Sequence, residues 1–329
     1  MRHPLALVLA MTAAPAFAHD HMRVVTDFAV TQSLVQMVLG DLGQAEALVP
    51  AGGNAHSFQM RPSQAQALEG AEVIVWMGPE MTGWMARALE GLGGNAHRLT
   101  LLAVDGIVTR DFGQEDEDDH GHGHSHGHSH GHSHGHSHGH SHGHSHGHAA
   151  KDDHKHEGLD PHAWMNTGNV AIWLDAIAEE LTEHDPDHAA IYSANASAAK
   201  ATIAALETEL AATLAPAADQ PIMVFHDAYN YLAAQFDLHI AGSIALGDAS
   251  DPGAQRIADL RALLAEEGAV CVFPEVNHSS RYIAVVLEGT DVKLGAELDP
   301  EGAKLEPGAD LYPTLMRNLA RDIAECVTR

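Results

Sequence analysis

Histidine is the residue whose number and placing could do chemistry in this chain: 28 of 329 residues, against two cysteines. Seventeen of them fall in one segment: His120, His122, His124, His126, His128, His130, His132, His134, His136, His138, His140, His142, His144, His146 and His148, then His154 and His156. They alternate with Gly and Ser behind the acidic run EDEDD at residues 115–119. Neutral imidazole is a good ligand for Zn, Cu, Ni and Co, and flexible spacing lets several rings converge on one ion. Without preformed geometry each ion is held weakly and with little selectivity, and protonation near about pH 6 releases it. Such a composition cannot build a core, so residues 114–157 are expected to be a disordered loop, an auxiliary metal collector or else a solvated spacer.

Three histidines outside the tract stand in unusual contexts. His56 lies in GGNAHSF at residues 52–58, just before a helix start at Arg61, Pro62 and Ser63. His162 lies in DPHAWMN at residues 160–166, before a capped helix. His226 ends an apolar strand at residues 222–225, with Asp227 placed to cap the next helix. Each is at a strand end or a helix entrance, the rim where open α/β sheets bind ligands. Singly, each reads equally as a capping or core histidine; beside a metal-collecting tract the ligand reading gains weight.

The elements that must position them follow an α/β rhythm. Short β-branched runs at residues 24–26, 72–77, 222–225, 270–273 and 292–294 read as strands. Helical spacing is found at residues 34–39, 84–92, 166–181, 254–264, 281–287 and 311–327. Between Asp185-Pro186 and Pro216 the chain is rich in Ala and free of Pro, which predicts one long helix of about 40 Å. The expected fold is α/β, two α/β lobes joined by that rigid helix with a metal in the cleft: residues 19–185 (N-terminal lobe), 186–216 (linker helix) and 217–329 (C-terminal lobe). One continuous α/β domain is the alternative.

Charge and export narrow the partners. With 17 Lys+Arg against 45 Asp+Glu the formal charge is −28, which repels phosphate backbones and anionic lipid, so nucleic acid is excluded as a partner and cations are favoured. Arg2, the apolar run at residues 5–16 and the small residues Ala16 and Ala18 read as a signal peptide at residues 1–18, cut after Ala18; a short buried helix is the alternative. No Cys follows the cut, so no lipid anchor is expected. In an oxidising compartment the even pair Cys271 and Cys326 reads by default as a disulfide, with two buried thiols the alternative.

These residues resemble a known family, the periplasmic solute-binding proteins of metal-ion ABC transporters (metal-binding cluster A-I), specifically the zinc-binding ZnuA type. The resemblance rests on His56 in its Gly-rich turn before Arg61-Pro62-Ser63, on Asp160-Pro161-His162-Ala163-Trp164, on Phe225-His226-Asp227-Ala228-Tyr229, and on the acidic His-rich insertion between the first two. It implies that His56, His162 and His226 bind one Zn²⁺ between two lobes joined by a rigid helix, and that Cys271 and Cys326 match a second-lobe disulfide. It also implies a carboxylate from Asp299, with water or a loop residue as alternatives for the fourth position and Glu275 as an outer partner. No acidic residue adjoins His56, a departure from some members. His97, His239 and His278 match no family ligand and read as surface or packing residues.

The implied function is capture of periplasmic Zn²⁺ and its delivery to the membrane permease of a zinc ABC transporter, by a monomer, with a periplasmic zinc chaperone as a further partner. Two other classes are open to the same residues. Three His plus water is also the open coordination of a hydrolytic zinc enzyme, but the chain has no HExxH and no GxSxG, and a non-enzyme is expected. A storage protein dominated by the His-rich loop is the stronger alternative.

Overall fold

The computed structural model describes residues 22–94, 96–112, 158–245 and 254–329. The expected signal peptide and all seventeen tract histidines lie outside the described residues.

The first sheet has four parallel strands in the order β2-β1-β3-β4: β1 (Val24–Thr26), β2 (Ala45–Ala47), β3 (Val73–Trp76) and β4 (His97–Thr100). Helices α1 (Ala29–Leu39), α2 (Pro62–Glu69) and α3 (Gly83–Leu89) make the crossovers. Every residue of β1 and β3 is buried, as a parallel strand covered on both faces requires, and this is why both read as continuous apolar runs.

Two long helices follow. Asn166 caps α4 (Thr167–His184) by accepting the amide of Asn169 at 3.1 Å. Asp185 then takes Nδ1 of His188 at 2.6 Å and the Tyr192 hydroxyl at 2.9 Å, fixing the turn into α5 (Ala189–Leu214). At 1.5 Å per residue, the 26 residues of α5 span about 39 Å. Tyr192, Ala196, Ala199, Ile203, Leu206, Leu210 and Leu214 repeat at three- and four-residue spacing and are buried along one stripe.

The second sheet repeats the first, four parallel strands in the order β6-β5-β7-β8: β5 (Ile222–Val224), β6 (Ile240–Ser243), β7 (Cys271–Val272) and β8 (Lys293–Leu294). Its helices are α6 (Asn230–Phe236), α7 (Ala254–Glu266) and α8 (Arg281–Leu287). Helix α6 starts with Tyr229 at its N-cap, so Asp227 is not its cap. Cys271 on β7 is bonded to Cys326 on α9 (Leu311–Thr328), with Cα atoms 6.3 Å apart.

Helix α9 returns across the molecule and packs on α5 and α1. There the Tyr312 amide donates to Oγ of Ser33 at 3.0 Å and its hydroxyl to the Trp164 carbonyl at 2.9 Å. The lobes are therefore tied by α5 and again by α9. One core cluster runs from Val24 to Cys326 through both, while smaller clusters fill the outer layer of each lobe. None of the described helices is long and apolar enough to cross a membrane.

Candidate metal centre

Three segments from the two lobes meet in the cleft. His56 sits in the turn between β2 and α2, His162 opens the short turn into α4, and His226 stands two residues past β5. The structure brings these rings together: Nε2 of His162 lies 3.2 Å from Nε2 of His56 and 3.3 Å from Nε2 of His226. Ring centroids are 5.2 to 6.0 Å apart. The edge of a tetrahedron with metal–nitrogen bonds of about 2.05 Å is about 3.3 Å long, so both separations from His162 match ligands around one ion, and the three histidines each offer a ligand atom within 4.8 Å of the others.

Two of the rings are backed by carboxylates and the third is placed by its backbone. Oδ1 of Asp160 accepts Nδ1–H of His162 at 2.7 Å and the His162 amide at 3.0 Å, while Asn230 of the other lobe donates to Oδ2 at 3.0 Å. Oε1 of Glu275 lies 2.5 Å from Nδ1 of His226, and the Tyr229 hydroxyl donates to Oε2 at 3.1 Å. A carboxylate behind the ring fixes the tautomer and presents Nε2 to the cluster. His56 is held through its backbone instead: the Ala55 amide donates to Oε2 of Glu301 at 2.8 Å and the Gly52 amide to the Ala303 carbonyl at 2.8 Å. Burial, helped by the neighbouring imidazoles, pushes the His56 pKa well below its ordinary value, so the ring is neutral and ready to bind.

The structure places the expected carboxylate differently. Asp299 turns onto its own loop, with Oδ1 taking the Ala303 amide and Oδ2 the Lys304 amide, both at 2.8 Å. Gly302 makes that turn at φ 72°, where a Cβ would also meet Leu311 at 2.9 Å. The carboxylate that reaches the cluster is Glu301, two residues on, with Oε1 3.8 Å from Nε2 of His56. Asp160 and Glu275 back onto Nδ1 atoms; Glu301 faces the side where the Nε2 atoms converge. Burial raises its pKa to about 7 against the pull of the Ala55 amide.

Among the other histidines, His97 and His239 lie at the surface beside Glu180 and Glu267. His278 is stacked on Phe225 with centroids 4.5 Å apart and has Nε2 3.5 Å from Oε1 of Glu275, at the margin of the cluster. Neither Glu301 nor His278 was singled out by spacing as a site residue. The one available sign was an acid and a His in Pro/Gly- or Asn-containing turns, LDPEG and EVNH.

The family described as "Zinc-uptake complex component A periplasmic" matches residues 24–326. The chain belongs to this family. In the zinc-uptake family, the high-affinity zinc uptake system protein ZnuA of Paracoccus denitrificans is 48% identical over 323 residues, 98% of this chain and 97% of that protein. A crystal structure of ZnuA superposes with a TM-score of 0.70 at 22% identity, covering 93% of this chain and 99% of that one. The SBP FpvC from Pseudomonas aeruginosa in complex with Mn²⁺ gives 0.73 at 20% identity, covering 94% and 99%. At such identities the likeness speaks for the fold: two parallel-sheet α/β lobes with a helical backbone between them. Because one of these relatives holds Mn²⁺, the fold alone does not choose the metal.

Proposed function

We propose that this chain captures Zn²⁺ in the periplasm and delivers it to an ABC-type permease, holding the ion as cargo on Nε2 of His56, His162 and His226 with Glu301 as the fourth ligand. The observation that carries this is the convergence of the three rings, with Nε2 of His162 3.2 and 3.3 Å from the other two Nε2 atoms and one ligand atom of each ring within 4.8 Å of the others. Three neutral imidazoles suit Zn²⁺, whereas a donor set richer in carboxylate suits Mn²⁺. Filling the fourth position with Glu301 rather than Asp299 leaves no open place for a reacting water, which supports a carrier over a hydrolase.

In this reading residues 1–18 are removed on export. Residues 19–185 supply His56 and His162, residues 186–216 form the joint and residues 217–329 supply His226. Because the ligands come from both lobes, zinc ties them together and raises the melting temperature. The tethered tract raises the local concentration of zinc beside the cleft, so that transfer is intramolecular. The chain works as a monomer that docks on the permease, and a periplasmic zinc chaperone is a further donor.

Competition titration against a chelator tests the reading on the mature chain, on a form lacking residues 114–157, and on His162→Ala within that deletion. One tight zinc retained without the tract and lost with His162→Ala supports it. No tight zinc without the tract moves the function to storage by the histidine repeat.

A further inference from the structure

His226 presents its two nitrogens to two different groups. Nε2 faces His162 and the inner cluster, while Nδ1 faces Glu275 at 2.5 Å. Glu275 in turn lies between His226 and His278, with Oε1 3.5 Å from Nε2 of His278, and the three donors fall within 4.8 Å of one another. That 3.5 Å separation is close to the tetrahedral edge of about 3.3 Å. The 2.5 Å contact at His226 is shorter than the edge between two ligands of one ion, so it opens when an ion is bound there.

The turn carrying these donors is built for them. Asn277 adopts φ 69°, a left-handed conformation that Asn tolerates, and the His278 amide closes onto the Glu275 carbonyl at 3.3 Å. This places both side chains toward His226. The Asn277 side chain donates to the Gly53 carbonyl at 3.2 Å, linking the turn to the loop that carries His56. Phe225 holds the His278 ring by stacking. His278 is also the outermost ring, its side chain 13% exposed against 6% for His56, 2% for His226 and 0% for His162.

We propose that Nδ1 of His226, Oε1 of Glu275 and Nε2 of His278 form a second, outer coordination position for Zn²⁺, through which the ion enters and leaves the inner triad. The proposal rests on the cleft being the tight zinc site. Because a neutral imidazole has one free nitrogen, the positions are occupied in turn. With the ion outside, Nδ1 of His226 is bound to it and the proton sits on Nε2. Transfer inward breaks the bond from the ion to Nδ1 and forms one to Nε2, while a solvent water takes the proton from Nε2 and another delivers one to Nδ1, where it faces Glu275. No proton is gained or lost overall.

Such a relay changes rates without changing the end state. The experiment loads the full mature chain with one equivalent of zinc and measures affinity, uptake rate and release to excess EDTA for the wild type, His278→Phe, His278→Gln and His162→Ala. Phe keeps the stack on Phe225 and lacks the donor, while Gln tests a second shape. Expected for both His278 variants is uptake and release about tenfold slower, with affinity within about threefold of wild type. Unchanged rates overturn the outer position, and so does loss of affinity equal to that of His162→Ala, which would make His278 part of the tight site. If instead His162→Ala keeps its tight zinc, the cleft reading itself fails.

Discussion

The two sheets share a topology and put different chemistry at the same place. In the first lobe the central strand β1 runs out into Asp27; in the second the matching strand β5 runs out into Phe225 and His226. Asp27 is fully buried, and its carboxylate takes the Phe28 amide at 3.0 Å, the Met77 amide at 2.8 Å and the Thr82 hydroxyl at 3.2 Å. It is spent on closing the rim of its own sheet. His226, nearly as buried, turns Nε2 across the cleft. The carboxyl rim of a parallel sheet offers a polar, convergent position in both lobes. Whether that position carries structure or cargo depends on whether its side chain finds partners in its own lobe.

The largest expected break in this comparison is on zinc. His226→Ala removes one of the four proposed ligands from an interaction of roughly 10–16 kcal/mol, so affinity should fall by about two to three powers of ten. Asp27→Asn leaves zinc affinity unchanged, and a chelator competition on both variants checks the contrast.

Stability should show the reverse. Burial raises the Asp27 pKa from 3.8 to about 6. Its folded-state pKa therefore lies above the unfolded value, and the folded chain binds the extra proton between these pH values. The stability this contributes is fully present below about pH 4 and is lost as pH rises through about 6, on the order of 3 kcal/mol. Denaturant melts between pH 4 and 7 should show that slope in wild type and lose it in Asp27→Asn.

A smaller effect tests how the rings are aimed. Glu275→Gln leaves every proposed inner ligand in place but loosens the His226 tautomer, and it should cost about 10–100-fold in affinity, read by the same competition. Glu301 gives the finest test. Its pKa of about 7 means that a proton must leave before it can ligate, so wild-type affinity should fall as pH drops from 8 to 6. Glu301→Gln should lower affinity by about tenfold at pH 8 and flatten that dependence. An unchanged pH profile in Glu301→Gln would return the fourth position to water or another group.

Much of this was legible in residue patterns, and the losses have a physical pattern of their own. The central strands β1, β3, β5 and β7 announced themselves because burial on both faces demands unbroken apolar runs. The strands β2, β4 and β6 lie beside them, only partly buried, and AEA, HRLT and IAGS carry no such signature. Helix α6 starts at Asn230 although Asp227 had the look of a cap. The three histidines stood out because each sits in a sharp local turn. Glu301 and His278 did not, because the rings they approach, His56 and His226, lie on other segments, and the fold alone brings those segments together. Asp299 was the more conspicuous acid, but a glycine turn three residues later satisfies its carboxylate locally.

The central claim is that rings from both lobes share one ion. Anomalous diffraction at the zinc edge, from crystals of the mature chain grown with one equivalent of zinc, measures this directly. The account predicts one dominant peak about 2.0–2.1 Å from Nε2 of His56, His162 and His226 alike. A dominant peak bound by residues of one lobe alone would contradict it.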